Sequence, residues 1–339
     1  MIRIGIIGAS GYTGAELLRI CAQHPEFQVA FATGDSQAGT AIAELYPSLA
    51  GAYGDTVFVR WSIDLVEDVD CVFLGLPHGT SQSIVPDLLD RVRVIVDLGA
   101  DFRLTTSDDY VQWYGAAHTR PDLLDRFVYG LPELYREQLR TTDCIATPGC
   151  YPTAASLPMA PLVKAGLLRP GRIIVDAVSG VSGAGRPPKP NTTFCAVDSD
   201  VMAYGLLDHR HTPEMEMNIG AQVLFTPHLV PMSRGILATC YGEPSHDGLT
   251  TDDVLSALSE FYEGEPFVVV SERSPSTKAT LGSNTAHVTA RVDERTGTVV
   301  ALCAIDNLGK GASGAAVQCA NLALGLDETT GLQLVGVYP

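Results

Sequence analysis

No run of apolar residues in this sequence is long enough to span a bilayer. Its start, "MIRIGIIGASGYTG", lacks the charged lead, long apolar core and small-residue cleavage site of an export signal. The expected setting is therefore the cytoplasm, with no membrane partner. Positive charge is scarce: 22 Lys and Arg stand against 39 Asp and Glu, a net charge of −17. That argues against nucleic acid or an anionic lipid surface as the main partner. An acidic protein can still hold a small anion in a local basic pocket. The 8 cysteines include no Cys-x-x-Cys pair, and no His-rich spacing suggests a metal. No metal is expected, and the thiols read as reduced. Internal repeats and low-complexity tracts are also missing.

What is present fits a globular chain of 339 residues, 46% hydrophobic, enough for two domains with a core each. "IRIGIIG", "FQVAFAT", "VDCVFLGLPHG", "VRVIVDLGADFR" and "TDCIATPGC" read as buried strands, with helical patterns between several of them. Strands alternating with helices predict a parallel, doubly wound sheet of the Rossmann type. After Cys150 the pattern changes to long or alternating strands with few helices between them, running from "GRIIVDAVSG" to "TVVALCAIDN". This predicts a mixed sheet in an α+β domain. The last helix, "ASGAAVQCANLALGL", is small and apolar on more than one face and is expected to return to the first domain. The predicted division is residues 1–149 with 308–339 for the dinucleotide-binding domain and 150–307 for the catalytic and dimerisation domain.

Gly8, Gly11 and Gly14 give "GASGYTG" between the first strand and the first helix. Glycines there permit a tight turn and let backbone N–H groups approach a pyrophosphate at the helix N-terminus. The spacing alone is weak, and its strand–turn–helix context gives it force. Asp35 lies 21 residues beyond Gly14, about where an acid holds the ribose hydroxyl of NAD.

Cys150 stands in "TPGCYPTAAS", a stiff turn followed by an alanine-rich helix whose first turn suits Pro152. A cysteine just ahead of a helix lies near unpaired N–H groups and the positive end of the dipole, which stabilise a thiolate. Cys21, Cys71, Cys240, Cys303 and Cys319 sit inside apolar patterns, and Cys144 inside the fifth strand, so all six read as core. A nucleophilic thiol needs a proton partner. "LLDHRHTPEM" supplies His209, His211 and Glu214; the last two are three apart at a helix start, where a carboxylate can orient an imidazole.

In the order "GASGYTG", "LPHG", "GADFRL", "PGCYPT", "SGVSGAGR", "HRHTPE", "PHLVPMSRGIL" and "IDNLGKGASGAAVQ", the chain resembles the N-acetyl-γ-glutamyl-phosphate reductases. These are arginine-pathway relatives of aspartate-semialdehyde dehydrogenase, and the resemblance runs from Ile4 to Val337. It implies an architecture like glyceraldehyde-phosphate dehydrogenase. It also implies Cys150 as nucleophile, His211 as the acid–base residue with His209 as the competing choice, and Glu214 as orienter. Gly8, Ser10, Gly11, Tyr12, Thr13 and Gly14 would line the cofactor phosphates, and Pro77, His78 and Gly79 its middle. Ser179, Gly180 and Gly183 to Arg186 would flank the nicotinamide, with Asn307 on its carboxamide. Arg103, Arg186 and Arg210 are the implied contacts for substrate anion or phosphate.

NADP is the cofactor the family implies. Gly34-Asp35, where many members have Ser-Arg, leaves NAD possible unless Thr33 or Ser36 donates to a 2′-phosphate. The implied reaction is attack of the thiolate on an acyl phosphate, loss of phosphate to leave a thioester, and reduction to a semialdehyde. The implied partners are the small acyl phosphate and semialdehyde, inorganic phosphate, and one or three further copies of the chain. Two alternatives stand beside it. One is a paralogous reductase for aspartyl phosphate or for carrier-bound aminoadipyl or glutamyl phosphate. The other is a dinucleotide-sensing regulator without turnover.

Overall fold

The computed structural model describes residues 1–338. The chain separates into two compact units, Met1–Pro148 with Ala312–Leu332, and Gly149–Gly311 with the stretch from Gln333. Among the described residues no helix is long and apolar enough to cross a membrane.

The first unit holds β1 (Ile2–Ile7), β2 (Phe27–Ala32), β3 (Cys71–Leu74), β4 (Val94–Asp97), β5 (Val128–Tyr129) and β6 (Cys144–Ala146). They form one parallel sheet in the order β2-β1-β3-β4-β6-β5. A parallel sheet covered on both faces demands continuous apolar strands. β3, β4 and β6 are accordingly buried at every position. The chain leaves β1 toward β2 on one side and returns to β3 on the other, so the strand order reverses at β1. Open α/β sheets bind ligands beyond the strand C-termini at such a point. The loops that emerge there are Gly8–Gly11 after β1 and Pro77–Gly79 after β3. Helix Gly314–Leu324 packs in this unit, against helices Tyr12–Cys21 and Pro132–Leu139 and against β4. The small residues Ala315, Ala316 and Ala320 are fully buried and let it approach closely.

The second unit is built on β7 (Arg172–Gly180), β8 (Met202–Ala203), β9 (Gln222–Val230), β10 (Ile236–Gly242), β11 (Val268–Val270), β12 (Ala286–Asp293) and β13 (Thr298–Ile305). Their order is β11-β12-β13-β10-β7-β9-β8, with parallel pairs only at β11/β12 and β7/β9. Residues alternate in and out. Ile173, Val175 and Ala177 of β7 and Ile236, Ala238 and Cys240 of β10 are buried. Helices Cys150–Lys164, Thr212–Ile219 and Thr251–Phe261 pack against this sheet.

The C-terminal stretch departs from the sequence reading, which placed all of 308–339 in the first domain. The Asn284 N–H donates to the Gln333 carbonyl at 2.8 Å, and the Val337 N–H to Leu281 at 2.7 Å. Gln333 onward is thus tied by backbone bonds to the second unit. β5 and β8, two residues each, are edge strands too short to leave a period in the sequence.

Asp97 closes β4 and is fully buried. Its Oδ1 accepts from the Ser81 hydroxyl at 2.8 Å and the Gly99 N–H at 2.9 Å. Its Oδ2 has no partner among the described residues. Burial, joined by the nearby Asp101 charge, raises its pKa from 3.8 to about 7, against the bonds from Ser81 and Gly99 and the charge of Arg103. Between 3.8 and about 7 the folded state therefore holds a proton that the unfolded chain has lost, so this group's stabilisation drains away as pH rises. Asp97→Asn should flatten that part of the profile of urea midpoint against pH. An unchanged slope would show Asp97 ionised throughout.

Candidate active site

The glycine turn of the first unit is shaped by close approach. Gly8 has φ +86°, and its N–H donates to the Thr33 hydroxyl at 3.0 Å. A Cβ on Gly14 would overlap the Ala9 backbone, so only glycine lets the first helix start this close to β1. A Cβ on Gly11 would meet nothing nearer than the Gly8 carbonyl at 3.7 Å, so the cradle is open there. Ser10, Tyr12 and Thr13 are half-buried around it. Thr33, one of the two donors considered for a 2′-phosphate, is buried and its hydroxyl serves Gly8. Asp35 and Ser36 are exposed, and Asp35 opens a short turn at φ +29°, unusual for a residue with a side chain.

The loop after β3 is pinned by Asp101, a residue the sequence did not single out. Asp101 Oδ1 accepts from the Gly79 N–H at 2.7 Å and lies 2.5 Å from His78 Nδ1, while Oδ2 accepts from the Gln82 N–H at 3.3 Å. Burial works against its ionisation, but His78 and the two N–H groups outweigh burial and hold its carboxyl below the usual range. Pro77, His78 and Gly79 are thereby fixed beside the switch point. Arg103 is buried in this unit, and its Nη2 donates to the Leu98 carbonyl at 2.9 Å.

In the second unit Cys150 is the first residue of helix Cys150–Lys164, with Gly149 as N-cap. The sequence placed it one step earlier, ahead of the helix. The Gly149 N–H donates to Glu214 Oε2 at 2.9 Å, and Glu214 is fully buried. A Cβ on Gly149 would fall 2.5 Å from His211 Nε2, so the imidazole occupies the space a side chain would need. His211 is the N-cap of helix Thr212–Ile219. His209 Nδ1 accepts from the His211 N–H at 3.1 Å, which leaves the His209 ring proton on Nε2. Burial, with Arg210 adding to it against Asp208, lowers the His209 pKa from 6.5 to about 4, so this ring is neutral at pH 7.

Two tyrosines that the sequence did not mark complete the wall. The Tyr151 hydroxyl donates to the His228 carbonyl at 3.2 Å and accepts from the Tyr204 hydroxyl at 3.1 Å. Burial pushes the Tyr204 phenol up to about 12, and Tyr151 higher still, so both stay protonated.

Cys150, Ser179, Gly183, Arg210, His209 and His211 line one cleft of about 580 Å³, together with Lys189 and Tyr204. Gly180 lies behind it: a Cβ there would come 2.8 Å from the Arg234 nitrogen. Asn307 also serves structure, its Oδ1 accepting from the Gly235 N–H at 2.7 Å and its Nδ2 donating to Ser182 at 2.9 Å. Arg186 is on the loop after β7, outside the cleft wall. The first unit thus has the design of a dinucleotide-binding fold, and the second presents a thiol at a buried helix start with an imidazole packed on the preceding residue. Together these features mark an oxidoreductase with a dinucleotide-binding unit, the thiol being its candidate nucleophile.

Comparisons with known proteins narrow the class. Residues 3–142 match the family described as semialdehyde dehydrogenase, NAD binding domain, and residues 150–307 match semialdehyde dehydrogenase, dimerisation domain. The chain is 45% identical to the N-acetyl-γ-glutamyl-phosphate reductase of Heliobacterium modesticaldum, with 100% of both chains covered. It is 47% identical to that of Desulforudis audaxviator at the same coverage. Aspartate semialdehyde dehydrogenase II of Vibrio cholerae, complexed with ASA, shares the fold at TM-score 0.71 and 17% identity, over 95% of this chain and 98% of that one. The Candida albicans aspartate semialdehyde dehydrogenase with NADP does so at 0.70 and 14%, over 95% and 98%. The chain belongs to the semialdehyde dehydrogenase family and, within it, to the N-acetyl-γ-glutamyl-phosphate reductases.

The contact of His211 with Gly149 makes a specific demand. Gly149→Ala should displace the imidazole and lower kcat by about a hundredfold, the usual cost of a small displacement at a reacting group. The cofactor KM should hold and stability should fall by about 1–3 kcal/mol. A kcat near that of the unaltered protein would show that the ring position does not matter to turnover.

Proposed function

We propose that this protein reduces N-acetyl-L-glutamyl 5-phosphate to N-acetyl-L-glutamate 5-semialdehyde, with NADPH as reductant and release of phosphate, as a cytoplasmic enzyme of arginine biosynthesis. The observation that carries the reading is Cys150 opening a buried helix with His211 packed on Gly149. The helix N-terminus favours the thiolate. The Cys150 sulfur attacks the acyl carbon, the carbon–oxygen bond to phosphate breaks, and a thioester remains on Cys150. Glu214 holds the Gly149 N–H, so the turn that carries the sulfur does not drift. His211, at Nε2, gives a proton to the hemithioacetal oxygen formed when the thioester is reduced and takes it back as the carbon–sulfur bond breaks, releasing the aldehyde and the Cys150 thiolate. His209, neutral and bonded to the His211 backbone, sets the position of that residue. Arg210 is the contact for phosphate, since a guanidinium grips it through paired bonds.

The open cradle at Gly11, the positive φ of Gly8 and the loop pinned at Gly79 fit a dinucleotide. Gly8 to Gly14 would hold its phosphates and Pro77 to Gly79 its middle. When bound it supplies the two electrons, as hydride, for the reduction. NADP is the proposed form, from the family. The dimerisation-domain match and the half-exposed outer face of β7, β9 and β10, with Leu224 exposed, support a homodimer through that sheet.

In the oxidative direction the thioester must be discharged by inorganic phosphate. Aldehyde oxidation by the purified protein should therefore be strongly phosphate-dependent, and Cys150→Ser should abolish it while cofactor binding persists. Equal rates with and without phosphate would identify a hydrolytic aldehyde dehydrogenase and sink the assignment. For the cofactor, Asp35→Ser removes a negative charge that repels a 2′-phosphate. The ratio of kcat/KM for NADP over NAD should rise; a constant ratio would show that Asp35 does not face the ribose.

A further inference from the structure

The substrate proposed above is anionic at both ends: an acyl phosphate at the reacting carbon and a free carboxylate at the far end of the chain. Arg210 answers the first. For the second the family resemblance offers Arg103 and Arg186, but Arg103 donates to the Leu98 carbonyl in the first unit and neither is among the residues lining the Cys150 cleft, and positive charge is scarce in this protein.

Of the 22 basic residues only four are lysines: Lys164, Lys189, Lys278 and Lys310. Lys310 is fully buried near the Phe267 ring, Lys164 lies over the Phe261 ring, and Lys278 is exposed away from any described cleft. Lys189 alone lines the cleft that holds Cys150, with Asn191 and Thr192 beside it. Its ammonium makes no ion pair among the described residues. It belongs to the segment "GRPPKPN", where Pro187, Pro188 and Pro190 fix the backbone on both sides. A turn closes over it as well: the Lys189 N–H donates to the Thr192 hydroxyl at 2.9 Å, and the Thr192 N–H returns to the Lys189 carbonyl at 3.0 Å. A long flexible side chain is thus presented from a stiff base. An unpaired cation at a solvent-open rim costs nothing until an anion enters, and a carboxylate needs only a point charge.

We propose that Lys189 is the residue that recognises the free carboxylate of the substrate and so selects an acidic acyl chain over a neutral one. This rests on the acyl-phosphate reading above. Once substrate covers it, the pair is shielded from water and is worth more than an exposed ion pair.

The test compares two aldehydes in the oxidative assay, with phosphate and NADP⁺ saturating: N-acetylglutamate 5-semialdehyde and 4-acetamidobutanal, the same molecule without its carboxylate. The unaltered protein should prefer the first. Lys189→Ala should raise the KM of the first about tenfold and leave the second, the phosphate KM and the melting temperature unchanged, so the preference shrinks. Lys189→Arg should restore part of it. If Lys189→Ala slows both aldehydes alike, or neither, or raises the phosphate KM instead, the carboxylate assignment is wrong. If the unaltered protein oxidises neither aldehyde, the substrate reading itself fails and takes this inference with it.

Discussion

One close approach governs the second unit: the His211 imidazole lies against the α-carbon of Gly149. Any side chain at 149 would push the ring away, so glycine there is a steric requirement of the site. Other features follow from it. The Gly149 N–H, left over at the helix start, goes to the buried carboxylate of Glu214, one turn into the helix that His211 caps. His209 fixes the His211 backbone, and Tyr151 and Tyr204 fill the space around both rings. On the far side of the thiol, a Cβ on Gly311 would come 2.9 Å from the Cys150 Cβ, so that approach is also reserved for glycine. The thiol thus has a glycine on either side, Gly149 against the His211 ring and Gly311 against its own Cβ.

The acidity of the chain acquires a structural meaning here. Both units use buried carboxylates to collect backbone N–H groups where strands end and loops begin. Asp101 takes those of Gly79 and Gln82, and Glu214 takes that of Gly149. Asp306 takes those of Gly282, Leu308 and Gly309 while pairing with Arg234. Loop N–H groups have no ladder partner, and an anion satisfies several of them more strongly than a neutral acceptor does. Part of the excess acid is thus internal scaffolding for these loops.

The parallel sheet of the first unit was legible because burial on both faces forces continuous apolar runs, and "IRIGIIG" or "VRVIVDLG" can hardly be anything else. The alternating strands of the second unit were legible for the opposite reason, one face being half-exposed. The thiol at a helix start was legible too, since "PGCYPT" marks a stiff turn into a helix in any context. The two-residue strands β5 and β8 were not, because an edge that short carries no periodicity.

Composition and pattern by themselves determined the two fold types, the glycine turn, the thiol at a helix start and the histidine pair, all features written in contiguous residues. Tertiary structure alone decided which distant groups meet. It sent Gln333 onward to the second unit through two backbone bonds that no local propensity encodes. It buried Arg103 against Leu98 and occupied Asn307 with Gly235 and Ser182. It brought Lys189, Tyr204 and Arg210, from a stretch well beyond the thiol in the chain, to the Cys150 cleft. Local sequence fixes backbone period and turn chemistry, which depend on near neighbours. Whether a cation is buried, spent on a carbonyl or left facing a cleft depends on groups far along the chain.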